Sequence, residues 1–240
     1  MTNEKSKPAN PVSRTSLPPA TQRWLESALP ENLDIPASIR IEQKGTMDIR
    51  GKWTPFTASG VYKASPLSFI WRARFRMMRG VWITAEDGHL DGQAWGSARL
   101  WGIFSMGSRT GTEVLTSQVV RNLGELSWLP SFVLADPNLR WTEAGENVFE
   151  VRSGAGELEV MVHFKINNKG DVIRAFSPSR PYDVPDGYGS APWHYEFSDH
   201  QEFAGVRIPA AVVAIFEKDD GPWEYFQGRI TSVTFGTTSA

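Results

Sequence analysis

The sequence places an arginine and a glutamate four residues apart, shortly before a tryptophan: Arg121, Glu125 and Trp128. At this spacing both charged side chains lie on one face of an α-helix, where they can form an ion pair. Exposed pairs of this kind contribute only about 0.3–0.5 kcal/mol, so an ordinary surface pair is one interpretation. The alternative is that Glu125 acts as an acid or base, or orients a polar head group, with Arg121 or Arg180 as its electrostatic partner.

Tryptophan is unusually abundant, with 10 residues in a chain of 240. Indole is bulky and apolar but carries one N–H donor, which suits the wall of a pocket for an apolar ligand with a hydrogen-bonding rim. Large side chains also fill the interior of a curved sheet, so a core position is the more common role of any single tryptophan. The candidates for a pocket are Trp128, Trp71 and Trp193.

Arginines offer two further contacts. Arg72, Arg74 and Arg76 alternate along one predicted strand face, where their like charges repel unless acidic neighbours or an anionic ligand balance them. We expect a carboxylate on a neighbouring strand to do so. Arg180 lies in the loop sequence Ser-Pro-Ser-Arg-Pro at 177–181, where it can bind an anion or tie the loop to a carboxylate.

The other chemistry-bearing groups form no recognisable site. Neighbours on one strand face are about 6.6 Å apart, whereas zinc ligands converge at about 2.0–2.2 Å from the metal. We therefore predict a solvated face and no metal for the alternating residues His194, Glu196, Ser198, His200 and Glu202. No Gly-x-Ser-x-Gly turn presents a nucleophile, and the glycine patterns that bind NAD, ATP and GTP are missing, so we predict no cofactor.

Two helices are predicted to position these groups. Pro18 and Pro19 mark the start of a short helix predicted over 19–29, and Pro30 lies just past its end. Over 112–127, apolar residues recur at steps of three and four, which predicts a second helix with a polar opposite face. The apolar stripe is Leu115, Val119, Leu123 and Leu126, and the polar face is Gln118, Arg121, Asn122 and Glu125.

Nearly all of the remaining chain alternates between apolar and polar residues, which predicts roughly ten strands. Turn residues between the runs indicate hairpins and therefore antiparallel neighbours, at 86–88, 153–157, 167–170 and 219–222. Backbone sterics twist such a sheet, and two helices can cover the apolar face that a single sheet leaves open. We predict a mainly β (α+β) fold: a large curved antiparallel sheet, or unclosed β-barrel, with the helices against its concave face.

Composition bounds the class of protein. Residues 1–16 are too polar to order themselves, so we predict a disordered tail, one β-rich domain over 17–236 with a helical insertion near 112–128, and a second tail at 237–240.

A net charge of -2 argues against nucleic-acid binding. Neither an 18-residue apolar run nor a secretory signal is found, so we expect no transmembrane segment and a cytoplasmic location.

Short motifs in a fixed order give the chain a resemblance to a bacterial family of unknown function, over about 17–235. These motifs are Leu17-Pro18 with Arg23-Trp24-Leu25, Trp53-Thr54-Pro55-Phe56, Phe69-Ile70-Trp71-Arg72-Ala73-Arg74, the run from Arg121 to Pro130, Pro192-Trp193, the run from Gly205 to Pro209, and Trp223 before a final strand. The order of elements is also similar to that of LolA/LolB-type lipoprotein carriers. This resemblance implies an unclosed β-barrel whose hollow holds acyl chains beneath a helical lid.

These observations favour a binding protein that holds a hydrophobic or lipid-like small molecule in the hollow of the sheet. The residues expected to contact this ligand are Trp71, Arg121, Glu125, Trp128, Arg180 and Trp193. An enzyme that uses Glu125 with Arg121 or Arg180 in the same hollow is the alternative. A third possibility is a protein-interaction role through a surface patch of tryptophan.

Overall fold

In a computed structural model, residues 12–31 and 33–236 are described, and they form thirteen strands and two α-helices. The helices are α1 (Pro19–Ala28) and α2 (Thr112–Glu125). The strands are β1 (Ser38–Asp48), β2 (Trp53–Ala64), β3 (Leu67–Met78), β4 (Val81–Leu90), β5 (Gln93–Leu100), β6 (Phe104–Thr110), β7 (Arg140–Gly145), β8 (Val148–Ser153), β9 (Val160–Ile166), β10 (Val172–Val184), β11 (Gly187–Phe203), β12 (Val206–Lys218) and β13 (Gly221–Gly236).

All thirteen strands belong to one antiparallel sheet with the order β6-β5-β4-β3-β2-β1-β13-β12-β11-β10-β9-β8-β7. The chain enters in the middle at β1, runs by hairpins to one edge at β6, and crosses to the opposite edge at β7. It then returns by hairpins until β13 pairs with β1. Because β6 and β7 do not pair with each other in the described residues, the sheet is unclosed.

The sheet is curved so that one face of most strands points into a common core. In β3 the alternate residues Phe69, Trp71, Ala73 and Phe75 are buried, whereas Arg72, Arg74 and Arg76 between and after them are exposed. The inner residues of the two halves of the sheet meet in a single cluster, which includes Trp71 from one half and Trp193 from the other. This confirms the predicted fold class.

A crossover segment, residues 111–139, carries the chain from β6 to β7 and fills the concave side of the sheet. It contains α2 and two 3-10 helices, Leu126–Trp128 and Pro130–Leu134. Residues 122–134 are all buried. At its far end the buried carboxylate of Asp136 accepts hydrogen bonds from the backbone N–H of Leu67 at 3.0 Å and from Asn138. The crossover is therefore anchored to the sheet as well as packed inside it.

The first helix packs against the other end of the same concave face. Trp24 of α1 stacks on Phe149 and Phe164, with ring centroids 5.4 and 6.0 Å apart. Pro19 begins the helix and Leu29 follows its end, close to the predicted limits of 19–29. Two further contacts hold it: the hydroxyl of Ser27 donates to the carbonyl of Gly170 at 3.0 Å, and Arg23 donates to Asn147 at 2.8 Å.

Several details differ from the sequence-based expectation. The sheet has thirteen strands rather than roughly ten. The residues of β4, β6 and β7 do not alternate regularly between buried and exposed positions, so these strands give no clear period-two signal. The hairpin predicted at 86–88 is wrong: β4 continues to Leu90, since its backbone pairs with β3 and β5 along its whole length, and the turn lies at Asp91-Gly92. The turns expected near 153–157, 167–170 and 219–222 are present.

The predicted tails lie mostly outside the described residues, which begin at 12 and end at 236. Residues 12–16, which the sequence assigned to the first tail, contact the rest of the protein instead. Arg14–Ser16 forms a 3-10 helix. The backbone N–H of Val12 donates to the carbonyl of Leu134 at 2.8 Å, a contact that composition cannot foretell.

We predict that the stability of the fold depends on glycine at position 170, where the turn between β9 and β10 contacts α1. Its φ is +83°, and an added Cβ would lie 2.7 Å from the carbonyl oxygen of Arg23 and 2.8 Å from the hydroxyl of Ser27. Left-handed backbone costs a non-glycine residue about 1 kcal/mol, and overpacking adds about 2 kcal/mol. We expect Gly170→Ala to lower the free energy of unfolding in urea by about 3 kcal/mol.

Gly80 supplies the matched control, because its φ is +78° and nothing lies within 4 Å of an added Cβ. Gly80→Ala therefore isolates the backbone cost of about 1 kcal/mol. Equal losses in the two variants would show that α1 does not pack tightly on this turn.

Candidate functional site

The polar face of α2 is buried inside the protein: Gln118, Asn122 and Glu125 are all buried. The apolar stripe is divided, because Leu115 and Val119 are half-buried whereas Leu123 and Leu126 are fully buried. The helix contacts strands from both halves of the sheet, namely β3 to β6 and β9 to β11. The expected exposed ion pair is therefore wrong: Glu125 is 1% and Arg121 12% exposed, because the crossover places this face inside the curved sheet.

A cavity of about 250 Å³ lies between α2 and the inner face of the sheet. Its lining includes the exposed Tyr188, so the cavity reaches the surface near the turn between β10 and β11. Aromatic side chains form much of its wall: Trp71, Trp128, Tyr182, Tyr188, Tyr195, Phe216, Trp223, Tyr225 and Phe226. Polar groups share this lining: Gln43, Asp48, Asp87, Arg109, Ser117, Gln118, Arg121, Glu125, Arg180 and Asp183. The hollow predicted from the sequence thus exists, with a mixed aromatic and charged surface.

Arg121 and Glu125 form the centre of a buried network on the helix side of the cavity. Nε of Arg121 donates to Oε1 of Glu125 at 2.7 Å, and Nη1 lies 3.3 Å from Oδ2 of Asp87. The hydroxyl of Tyr195 donates to the same Glu125 oxygen at 3.3 Å. The guanidinium also lies 4.8 Å from the centroid of Trp71. Residues from α2, β3, β4 and β11 are thereby joined at one point.

Burial controls the proton affinities in this network. Burial tends to lower the pKa of Arg121, but the nearby carboxylates of Glu125 and Asp87 outweigh it, and the pKa is raised well above its ordinary value. Burial, followed by the charge of Glu125, raises the pKa values of Tyr62 and Tyr195 well above the usual value. At neutral pH the guanidinium is therefore charged, and both phenols keep their hydrogens.

Arg180 lies on β10, at the end of a bulge that begins at Ser177, rather than in the predicted loop. It lines the same cavity in a different environment. Its Nε lies 3.2 Å from both the carbonyl and the hydroxyl oxygen of Ser117, and its Nη1 donates to the hydroxyl of Tyr225 at 3.0 Å. The guanidinium carbon lies 4.5 Å from the centroid of Trp193 and 5.6 Å from that of Phe216. Within the described residues, no ion pair joins this buried arginine to a carboxylate.

Several buried polar atoms of the cavity lining lack a hydrogen-bond partner among the described residues. Three are acceptors, namely Oδ1 of Asp48, Oε1 of Gln118 and Oε2 of Glu125, and one is a donor, Nε1 of Trp128. Leaving such a group unpaired costs about 1–3 kcal/mol. Their concentration around one cavity indicates a site that polar atoms of a bound molecule, or water, can complete.

The six residues predicted from the sequence are brought close together. Five of them line the cavity, and the sixth, Trp193, is fully buried behind Arg180. The five lining residues are Trp71, Arg121, Glu125, Trp128 and Arg180. Of the outer-face arginines, Arg72 donates to Glu86 on the neighbouring strand at 2.7 Å, as predicted. Arg74 instead lies over the ring of Trp82, and within the described residues neither Arg74 nor Arg76 forms an ion pair.

Other lining residues carry no sequence signal that separates them from ordinary strand positions. Asp87 lies in a Glu-Asp-Gly sequence that is typical of a turn, although it pairs within a strand. Tyr225 is one aromatic residue among several in an alternating segment. Ser117 and Gln118 precede Arg121 at the spacing of one helical turn, so the helical pattern alone could have placed them on the same face. The lining residues from β4, β10 and β13 come close to α2 only because the sheet curves around the helix.

A second polar contact holds α2 against β4. Nδ2 of Asn122 lies 2.9 Å from Nε2 of His89, and both side chains are buried. Burial lowers the pKa of His89 to about 4. The imidazole is therefore neutral at physiological pH, and its Nε2 can accept the hydrogen bond from the amide.

No metal centre is found among the described residues, where no three His, Cys, Asp or Glu side chains converge. His194, predicted to lie on a solvated face, is buried between Glu196 and Glu217, with each carboxylate 3.7 Å away. The same part of the chain has no helix of the length and apolar character needed to span a bilayer. The cytoplasmic location and the absence of nucleic-acid binding stay predictions.

Comparison with known families gives one match over most of the chain. A family model described as "Family of unknown function (DUF6544)" matches residues 10–228. No curated protein matches the chain.

Three solved structures resemble the fold. A DUF1329 family protein from Desulfovibrio piger has a TM-score of 0.51 at 11% identity, covering 92% of this chain and 93% of that chain. A putative outer membrane lipoprotein-sorting protein domain from Vibrio parahaemolyticus has 0.48 at 9%, covering 95% of each chain. A LolA superfamily protein from Nitrosomonas europaea has 0.41 at 10%, covering 91% and 94%. The first of these shows likeness of fold alone.

Removing the cation from the buried network should be far more damaging than removing an exposed one. Breaking a buried pair typically costs about 3–5 kcal/mol because a buried charge is left uncompensated. We expect Arg121→Met to lower the free energy of unfolding by about 3 kcal/mol, and the added change Glu125→Leu to recover much of that loss. The measurement is urea unfolding of both variants.

Arg72→Met is the matched control, since Arg72 pairs with Glu86 while 61% exposed. Its expected loss is below about 1 kcal/mol. A similar loss for Arg121→Met would contradict a buried, tightly coupled pair.

His89 should make stability fall in acid. The unfolded chain binds this proton near its ordinary pKa of 6.5, whereas the folded protein binds it only near about 4. Relative to His89→Gln, wild-type stability should be constant above about pH 7 and should fall by up to about 3 kcal/mol by pH 4. Urea unfolding across this range measures the difference.

His163→Gln, at a half-buried histidine on β9, is the control and should keep the wild-type decline. The same pH dependence in wild type and His89→Gln would mean that His89 is not held neutral by burial.

Proposed function

We propose that this chain, which belongs to the DUF6544 family of unknown function, binds a compact hydrophobic or lipid-like small molecule between α2 and the sheet. The observation that carries the proposal is the combination of an aromatic wall with unpartnered buried polar atoms in one cavity. Apolar walls supply affinity in such sites, and a few placed polar groups orient the ligand.

The size of the cavity limits the ligand. Its volume of about 250 Å³ lies just below the range of about 300–1,000 Å³ that is usual for small-molecule sites. A single alkyl chain or a ring system suits this space better than a lipid with two long acyl chains. Tyr188 at the surface end leaves a longer ligand room to extend towards solvent.

Packing elsewhere in the molecule supports a binding site in this place. Around α1 the interior is filled by stacked aromatic rings, including Trp24, Phe149 and Phe164. On the other side of the crossover, α2 presents arginine, glutamate and glutamine to a space between aromatic side chains. A protein that needed only a stable core would gain by filling this space with apolar side chains.

Straight-chain alcohols test the proposal without involving a charged head group. We expect 1-hexanol to 1-dodecanol to bind wild-type protein with affinity that rises with chain length and then stops rising when the cavity is full. Titration calorimetry measures the affinity. Intrinsic tryptophan emission should change as well, because Trp71 and Trp128 line the cavity.

Two neighbouring positions on α2 provide a blocking variant and its control. Val114 lines the cavity, whereas Leu115 does not. We expect Val114→Phe to weaken octanol binding at least tenfold and Leu115→Phe to leave it within threefold of wild type. If no alcohol binds the folded wild-type protein, or if both variants bind alike, the proposal is wrong.

An enzyme using the same cavity is the second candidate, because Glu125 and the sheet residue Arg180 both line it. In addition, Oε2 of Glu125 has no partner among the described residues. The other oxygen, Oε1, is bound by Arg121 and Tyr195, which favours a role in binding. Recovery of ligands chemically unchanged after incubation supports binding, whereas conversion that Glu125→Gln abolishes supports catalysis.

A further inference from the structure

We infer that Arg180 recognises an oxyanion, a carboxylate or phosphate, at the head of the ligand. This inference rests on the proposed function and adds the chemical class of the ligand. The site would consist of the Nη2 group of Arg180, the hydroxyl of Tyr225 and the aromatic faces around them.

Charge pairing distinguishes Arg180 from the other two arginines of the cavity. Arg121 is paired with Glu125 and Asp87. Arg109 is paired with Asp87 at 3.4 Å and also with Asp183. Arg180 contacts only neutral groups in the described part of the chain, although it is 93% buried (7% exposed). A guanidinium does not lose its proton in proteins, so this buried charge is satisfied best by an anion from outside the chain.

Hydrogen-bond directions leave two donors available at this point. The hydroxyl oxygen of Tyr225 accepts one bond from Arg180 and another from Nε1 of Trp193, both at 3.0 Å. With its oxygen accepting two bonds, the phenol has its own hydrogen free to donate. Nη2 of Arg180 also has no acceptor among the described residues. Two donors side by side match the paired oxygens of a carboxylate or phosphate.

The guanidinium is held in place before any ligand binds. Ser117 of α2 fixes its Nε, and Trp193 and Phe216 lie close to it on the sheet. A planar guanidinium that is stacked and hydrogen-bonded loses little conformational entropy when it binds an oxyanion. The position between helix and sheet also places the head group beside the aromatic wall that would contact an apolar chain.

The acidic residues of the lining do not compete for Arg180. Asp87 and Asp183 are engaged by Arg109, and Glu125 is engaged by Arg121. Asp48 accepts a hydrogen bond from Nε1 of Trp223 at 2.9 Å. These carboxylates would instead disfavour an anion elsewhere in the cavity, and so restrict it to the Arg180 end.

Ligands that share one eight-carbon chain test the inference. We expect wild-type protein to bind octanoate or octyl phosphate at least tenfold more tightly than 1-octanol, measured by titration calorimetry at constant ionic strength. The better of the two anions identifies the head group. Arg180→Gln should abolish the preference for the anion, measured as the ratio of anion affinity to octanol affinity in the same variant.

Two further variants keep the result interpretable. Arg180→Lys preserves the charge and should retain part of the preference, even if Arg180→Gln folds poorly. Arg72→Gln removes an exposed arginine outside the cavity, with the same change in net charge, and should retain the full preference.

The outcomes separate the two claims. Equal binding of octanol and both anions by wild type, or an unchanged preference in folded Arg180→Gln, overturns the inference and leaves the proposed function standing. Absence of binding by all three ligands overturns the proposed function, and this inference with it.

Discussion

Burial of the polar face of α2 is the constraint on which the site depends. The helix crosses the concave side of an unclosed sheet, so the groups on its inner face must find partners or remain desolvated at high cost. Arg121 and Glu125 form an ion pair with each other. Asp87 and Tyr195, from strands far apart in sequence, contact the same pair. The same pair, exposed on an isolated helix, would contribute little.

The buried charges of the cavity are unevenly compensated, and the ligand that we propose rests on this difference. Arg121 and Arg109 have carboxylate partners, whereas Arg180 is buried among Ser117, Tyr225 and aromatic rings. A polar group that is left incomplete costs stability and is retained most readily where it serves binding. The wall around it is aromatic, so an amphipathic molecule matches both parts of the surface.

Much of the fold was predictable because alternation and turn chemistry are local signals. The inner face of β3 and the helix over 112–125 follow directly from residue spacing. The hairpin expected at 86–88 was wrong because Glu86-Asp87-Gly88 resembles a turn while its backbone pairs with strands on both sides. Trp71, Arg121, Glu125, Trp128 and Arg180 were predicted as ligand contacts, yet their partners Asp87, Tyr195 and Tyr225 were not.

The amino-acid sequence by itself determined the antiparallel sheet, the two helices and the residue types available for a pocket, since these depend on neighbours a few positions apart. Only the tertiary structure decided that the polar face of α2 lies inside the protein, so that Glu125 is buried together with Leu123 and Leu126 of the apolar stripe. That choice depends on the path of the crossover between β6 and β7 and on partners such as His89 and Tyr195. Contacts of this kind arise from folding strands distant in sequence around the helix, which no local pattern encodes.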